Sequence, residues 1–254
     1  MKQTSRNILK TVVLATLMLY GHAFAQTVLP AVGPNKVFIE QVGSHNTVTI
    51  EQVGTANLVG GTASGGPSSS NYGTITGSNN TLTMKQTGDV NKAQYNLLAS
   101  DSNYTSTVLG NSNDTKLTIG DLNNATNLRV NVTELVTGDQ NKLVQTVIGS
   151  DIISNITITG DSNEVNKNLL SSFGQSSLTV TGGNNKFDIE QTGIGGAAGH
   201  KVTQLINGDF NSIVTQQQGS NDTVVNIAVN GGHNTITVRT SNASIVNPMT
   251  AIAR

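Results

Sequence analysis

The sequence predicts an all-β fold: a β-solenoid of about nine 22-residue coils, with two strands and two Gly/Asn turns per coil and cross-β stacking between coils. Three observations predict it. A Gly-x-x-Asn signal recurs along the chain, apolar and amide side chains alternate with polar ones between the signals, and the composition is too poor in bulky apolar residues for an ordinary globular core.

The repeat is clearest where it begins. Val37-Phe38-Ile39-Glu40-Gln41-Val42-Gly43 and Val48-Thr49-Ile50-Glu51-Gln52-Val53-Gly54 are nearly identical and stand eleven residues apart. Their turns end in Asn46 and Asn57. The signal returns as Gly77 to Asn80, Gly88 to Asn91, Gly110 to Asn113, Gly120 to Asn123 and Gly138 to Asn141, then as Gly160 to Asn163, Gly182 to Asn185, Gly208 to Asn211 and Gly231 to Asn234. Gly and Asn both tolerate the left-handed backbone of a tight turn. Gly43, Gly54, Gly77, Gly88, Gly138, Gly160, Gly208 and Gly219 are the expected turn glycines.

Between turns the period is two. Asn46, Val48, Ile50, Gln52 is one such series; Asn80, Leu82, Met84, Gln86 is another, as are Asn185, Phe187, Ile189, Gln191 and Asn211, Ile213, Thr215, Gln217. Residues two apart share one face of a strand, so these series point inward and Thr47, Thr49, Glu51, Lys85, Asp188 and Glu190 point outward. A buried amide without a partner costs ~1–3 kcal/mol. Stacking like over like solves this, each amide donating to one neighbouring coil and accepting from the other. The expected ladder residues are Asn35, Gln41, Asn46, Gln52, Asn57, Asn80, Gln86, Asn91, Asn185, Gln191, Asn211 and Gln217.

The solenoid is expected over 35–240, a stack ~45 Å tall at the usual strand spacing. The Gly/Ser-rich stretch 60–72 bulges from it as a loop, Gly193 to Gly199 reads as a second loop, and 241–254 is a tail. Ahead of the repeat, Lys2, Arg6 and Lys10, an apolar run from Thr11 to Tyr20 and Ala23-Phe24-Ala25 mark 1–25 as a cleavable signal peptide, followed by a short leader over 26–34. The apolar run is too short for a membrane-spanning helix. The expected location is therefore extracytoplasmic.

The whole chain carries 14 Lys and Arg against 15 Asp and Glu. Three of the fourteen lie in the signal, leaving eleven against fifteen, a net charge of −4. Scattered and mildly acidic, this excludes a nucleic-acid binder or an anionic membrane as the main partner. There is no cysteine, only 4 % of residues are aromatic and 11 % charged, while Gly numbers 27 and Asn 31. Backbone pairing has to carry much of the cohesion.

With these residues in place, the chain resembles the curlin family, whose repeats have the form Ser-x5-Gln-x-Gly-x-x-Asn-x5-Gln. Residues Gln41-Val42-Gly43-Ser44-His45-Asn46-Thr47-Val48-Thr49-Ile50-Glu51-Gln52 match all but the first part, and Gln86-Thr87-Gly88-Asp89-Val90-Asn91 matches half. Around Gly110 to Asn163 Thr, Leu or Ile replaces most of the ladder Gln. The resemblance implies a structural subunit of an extracellular curli-like amyloid fibre of the biofilm matrix of a Gram-negative bacterium. It also implies partners: other copies of the chain in a homopolymer, a nucleator subunit and an outer-membrane export machinery.

No catalytic or cofactor site is expected. Glu40 and Glu51 lie on successive half-coils, hence on opposite sheets, and neither a Gly-x-Ser-x-Gly elbow nor a phosphate loop occurs. His45 and His233 each precede a turn Asn and read as exposed turn residues. Five Gly-Asp-x-Asn turns, at Gly88, Gly120, Gly138, Gly160 and Gly208, offer a row of acids for calcium, but Asp is also a good turn former and no metal is expected. The alternative function is a monomeric solenoid adhesin or surface-binding module. Its Thr47/Thr49, Thr81/Thr83 and Thr235/Thr237 pairs resemble those of ice-binding solenoids, although their irregular spacing in sequence counts against one array.

Overall fold

The computed structural model describes residues 13–18, 35–60, 73–120, 128–193, 199–241 and 249–253. The expected leader over 26–34 lies outside them, as do 61–72 and 194–198 of the two expected loops and most of the Gly120–Asn123 turn. Among the described residues there are 21 strands and no helix. They form a parallel β-solenoid of about eight turns, where the sequence suggests about nine.

Two sheets face each other across the bore. The first runs through Thr47–Val53, Thr81–Thr87, Asn103–Leu109, Asn131–Thr137, Ile153–Thr159, Gln175–Thr181, His200–Asn207 and Thr223–Asn230. The second runs through Lys92–Leu98, Asp114–Ile119, Lys142–Ile148, Glu164–Leu170, Lys186–Thr192, Ser212–Gln218 and Thr235–Ser241. The chain alternates between them, so each strand pairs with the strand one coil away and not with its sequence neighbour.

Register repeats at 22 residues through much of the stack, where Asn103 lies beside Thr81, Ile153 beside Asn131, Gln175 beside Ile153 and Lys186 beside Glu164, and at 23 further on, where Thr223 lies beside His200 and Thr235 beside Ser212. Thr81 pairs with Thr47, 34 residues back. Asn131 pairs with Asn103, 28 back, and Lys201 with Gln175, 26 back. The surplus falls between Gly60 and Gly73, between Gly120 and Leu128, and between Gly193 and Gly199. The first interrupts a strand of the second sheet, whose two parts, Leu58–Val59 and Gly73–Thr76, both pair with Lys92–Leu98; the other two sit where the chain leaves that sheet, so the in-register stack continues past all three.

Alternation decides what enters the bore. Val132 and Val136, Leu143 and Val147, Ile156 and Ile158, and Phe187 and Ile189 are 0–1 % exposed, and their neighbours in sequence face solvent. Fully burying one such aliphatic side chain contributes ~1.5–3 kcal/mol. The bore is narrow enough that aliphatics from both sheets close it.

Two further stretches, outside the expected repeat, form strands. Met249–Ala253, placed in the tail, forms a further parallel strand on Thr223–Asn230. Val13–Met18, inside the expected signal, pairs antiparallel with Thr47–Val53 at the other end of the first sheet. Both are short β-prone runs lying against an otherwise open strand edge.

Candidate functional site

The corners carry the repeated chemistry. In most of the four-residue corners the first residue is Gly with a positive φ, for example 120° at Gly138 and 126° at Gly160. Gly43, Gly54, Gly77, Gly88, Gly208 and Gly219 behave alike, at 116–142°. Space is the second reason for glycine. A Cβ on Gly138 would stand 2.3 Å from the Gly160 carbonyl oxygen of the next coil, and one on Gly43 only 1.9 Å from that of Gly77.

The left-handed residue proper is the third of the corner, not the Asn. Fourteen non-glycine residues there have φ between 53° and 62°, among them His45, Val90, Arg129, Phe173, Phe210 and His233. The sequence reading gave that conformation to Gly and Asn. The corner Asn is instead turned inward, 0–3 % exposed at Asn46, Asn57, Asn80, Asn91 and Asn185, because its side chain serves the coil beyond.

At the corner leading from the first sheet to the second, nine asparagines stack: Asn35, Asn57, Asn91, Asn113, Asn141, Asn163, Asn185, Asn211 and Asn234. Each Oδ1 accepts the main-chain N–H of the next asparagine at 2.9–3.1 Å. Each Nδ2, up to Asn211, donates to the next corner glycine's carbonyl at 2.7–3.0 Å. Of this column the expected ladder contained Asn35, Asn57, Asn91, Asn185 and Asn211. The remaining four are visible in sequence only as turn residues, because the strands that follow them lack Gln six residues after the Asn.

The opposite corner holds a shorter column. Asn46 Oδ1 accepts from Asn80 N at 2.9 Å, Asn80 Oδ1 from Ser102 N at 3.2 Å, and Ser102 Oγ from Val130 N at 3.1 Å. At Val130 and Ile152 the position is apolar, and further along the stack it is polar again at His200 and Thr223.

The glutamines do not form one ladder. Gln52 Nε2 donates to Gln86 Oε1 at 2.8 Å in the first sheet, and Gln191 Nε2 to Gln217 Oε1 at 2.7 Å in the second. These two pairs lie on opposite walls and far apart along the stack. Their outer donors go to main-chain carbonyls, Gln86 to Leu58 and Gln217 to Lys201 and Thr223. Gln41 is buried in the second sheet, and neither atom of its amide has a hydrogen-bond partner among the described residues.

Aspartates of the Gly-Asp-x-Asn turns serve the main chain. Asp89 Oδ1 accepts from Thr55 N and Oγ1, Asp139 Oδ1 from Asn111 N, Asp161 Oδ1 from Asp139 N and Asp209 Oδ1 from Gly183 N, at 2.6–2.7 Å. The Thr55 bonds hold the Asp89 carboxyl below its ordinary range. No group of three His, Cys, Asp or Glu able to hold a metal occurs among the described residues. Glu40 and Glu51 stand on opposite sheets. His200 is buried, its ring nitrogens at 2.7 Å from Thr223 Oγ1 and 3.2 Å from Gly219 O.

One polar cluster inside the bore was not anticipated. Glu134, on the first sheet, accepts from Tyr104 Oη at Oε2, 2.6 Å, and from Gln145 Nε2 at Oε1. Gln145 Oε1 accepts from Ser154 Oγ at 2.7 Å. One coil on, Lys167 Nζ donates to the main-chain carbonyls of Ser176, at 3.2 Å, and Asn155, at 3.4 Å. All four side chains that cross the bore, Tyr104, Glu134, Gln145 and Lys167, are 0–2 % exposed. Burial pushes the Glu134 carboxyl up, against the bonds from Tyr104 and Gln145, and pulls the Lys167 amine down to about 7, against the attraction of Glu134. Both effects favour the uncharged forms. Counting by twos from Asn141 and Asn163 lands on Gln145 and Lys167, so the signal that finds them is the corner asparagine itself.

Comparison of the chain with known protein families, with curated proteins and with solved structures finds no match in any of the three.

Proposed function

We propose that the chain is a structural subunit of an extracellular, curli-like functional amyloid fibre, assembling by end-to-end stacking of its coils. The reading rests on the column of nine corner asparagines, in which every coil makes the same bonds to the next. The bond that Asn211 Oδ1 makes to Asn234 N is the one Asn234 Oδ1 would make to the first asparagine of a following copy. Among the described residues Thr235–Ser241 ends the second sheet with one strand partner, so its outer N–H and C=O groups form a template for a further strand. Other copies of the chain are thus the main partner. Removal of residues 1–25 follows from their signal-peptide pattern, while a nucleator subunit and outer-membrane export come from the curlin resemblance, which also places the fibre on the cell surface in adhesion and biofilm. Incubated purified protein is expected to give fibres by electron microscopy that bind thioflavin. A chain that stays a soluble monomer through seeding overturns the reading.

One observation favours the alternative, a monomeric binding module. Thr47 and Thr49 lie directly beside Thr81 and Thr83, because the inserted loop absorbs their irregular spacing in sequence. The outward row continues as Thr105, Thr133, Asn155, Ser177 and Thr203, hydroxyl or amide at every step. Thr235 and Thr237 belong to the other sheet. Thermal hysteresis from non-fibrous protein would select this reading over the fibre.

A further inference from the structure

Lys167 and Gln145 are register partners on neighbouring parallel strands of the second sheet, and both point into the bore. Their Cα atoms are therefore about one strand spacing apart, ~4.8 Å. The lysine nitrogen lies two bonds further along its side chain than the carboxamide carbon of glutamine. Only the end of the lysine chain has to bend back for the two to meet.

Everything around this pair suits attack of an amine on an amide. Nζ gives two of its hydrogens to the carbonyls of Ser176 and Asn155. Uncharged, as its burial favours, it keeps a lone pair for bonding. The Gln145 carbonyl oxygen is held by the Ser154 hydroxyl at 2.7 Å, a donor placed where negative charge develops on attack. The leaving nitrogen, Nε2, rests on the Glu134 carboxyl, and Tyr104 fixes that carboxyl from its other oxygen at 2.6 Å. Water is excluded, so hydrolysis of the amide does not compete.

We propose that Lys167 and Gln145 become joined by an intramolecular isopeptide bond once the chain has folded. The Nζ lone pair attacks Gln145 Cδ and the carbonyl π pair moves onto Oε1 against Ser154. Collapse restores the C=O and breaks the Cδ–Nε2 bond. One proton passes from Nζ to the leaving nitrogen by way of the Glu134 carboxyl, which ends as it began. Ammonia departs, and no oxidant, metal or nucleotide takes part. The product ties two successive coils covalently in a chain that has no cysteine to do so. The bond forms within one chain, so it stands or falls separately from polymerisation.

Intact-mass spectrometry of the purified full chain after folding tests it. The wild type is expected to be lighter than its sequence by one ammonia, and proteolysis should yield the peptides around Gln145 and Lys167 as one linked species. Lys167→Met removes the nucleophile and should return the chain to its sequence mass. Ammonia lost by succinimide formation at an Asn, or by cyclisation of an N-terminal Gln26 after signal-peptide cleavage, survives in Lys167→Met, and that result overturns the proposal. Full sequence mass in folded wild type overturns it as well. Glu134→Gln, checked for native β circular dichroism, should remain unlinked over times at which wild type is complete; linkage at the wild-type rate would remove Glu134 from the step. Peptide mapping of wild type alone decides the matter if a variant fails to fold.

Discussion

Asn141 and Asn163 are joined twice at one corner of the solenoid: Asn141 Oδ1 accepts the Asn163 main-chain N–H at 3.0 Å and its side-chain Nδ2–H at 3.0 Å. Asn141 Nδ2 meanwhile donates to Gly160 O at 2.8 Å. One side chain thus satisfies both a donor and an acceptor of the next coil's turn, which a carboxylate, an acceptor only, does not. Asn141→Ala should leave these groups unpaired and lower stability by ~1–3 kcal/mol in urea unfolding. Asn168→Ala, exposed on the second sheet, should stay within ~0.5 kcal/mol.

Gly138 is fixed by contact as well as by conformation. Gly138→Ala meets the Gly160 oxygen at 2.3 Å with φ at 120°, and should cost more than ~4 kcal/mol or prevent folding. Gly183→Ala is the comparison. Gly183 has no positive φ, and its nearest atom is the Asp161 oxygen at 3.1 Å, so the loss there should be far smaller. Equal losses at the two sites would refute the close-approach explanation.

Val90 holds a left-handed backbone, φ 61°, with a β-branched side chain about half exposed. Asn79 and Asn184 occupy equivalent corner positions at 59° and 56°. Val90→Asn should raise stability by ~1 kcal/mol by relieving the clash of a branched Cβ with the backbone. A thermal melt of the monomer reads it directly.

Glu134 should make stability depend on pH. Burial raises its carboxyl above the ordinary 4.5, so the folded chain holds the proton more tightly than the unfolded chain. Its contribution is fully present below that ordinary value and is lost as pH rises through the raised one. The unfolding free energy of wild type, read from urea titrations, should fall relative to Glu134→Gln over this window, by about 1.4 kcal/mol for each unit by which the value is raised. Parallel curves would show that Glu134 is ionised and otherwise compensated.

The Asp turns lead to the opposite expectation for calcium. Asp89, Asp139, Asp161 and Asp209 each spend an oxygen on a main-chain N–H of a neighbouring coil. Chelator should leave the melting temperature unchanged; a drop of several degrees would mean that the row binds the ion.

Most of the fold was legible because its rules are local. Gly138 with Asn141, or Gly160 with Asn163, marks a corner, and counting by twos from the Asn gives the buried face of the strand that follows. What escaped is set by neighbours distant in sequence. Gln52, Gln86, Gln191 and Gln217 look alike along the chain, yet the loop insertions and the alternation between sheets put them on opposite walls, so they pair in twos. The corner before Asn131–Thr137 ends Leu128-Arg129-Val130, with Val at the position that elsewhere holds the inward Asn, so no asparagine marks Glu134 as inward. A charged residue in a strand is ordinarily read as solvent-facing. Only the partners across the bore, Tyr104 and Gln145, show why this one is not.

The proposed stacking of copies along the coil axis is tested most directly by X-ray diffraction from aligned fibres of the purified protein. The account predicts a sharp reflection at ~4.7–4.8 Å on the meridian, because coils of successive copies continue one column of strands along the fibre. The same reflection on the equator, or protein that never assembles, would contradict it.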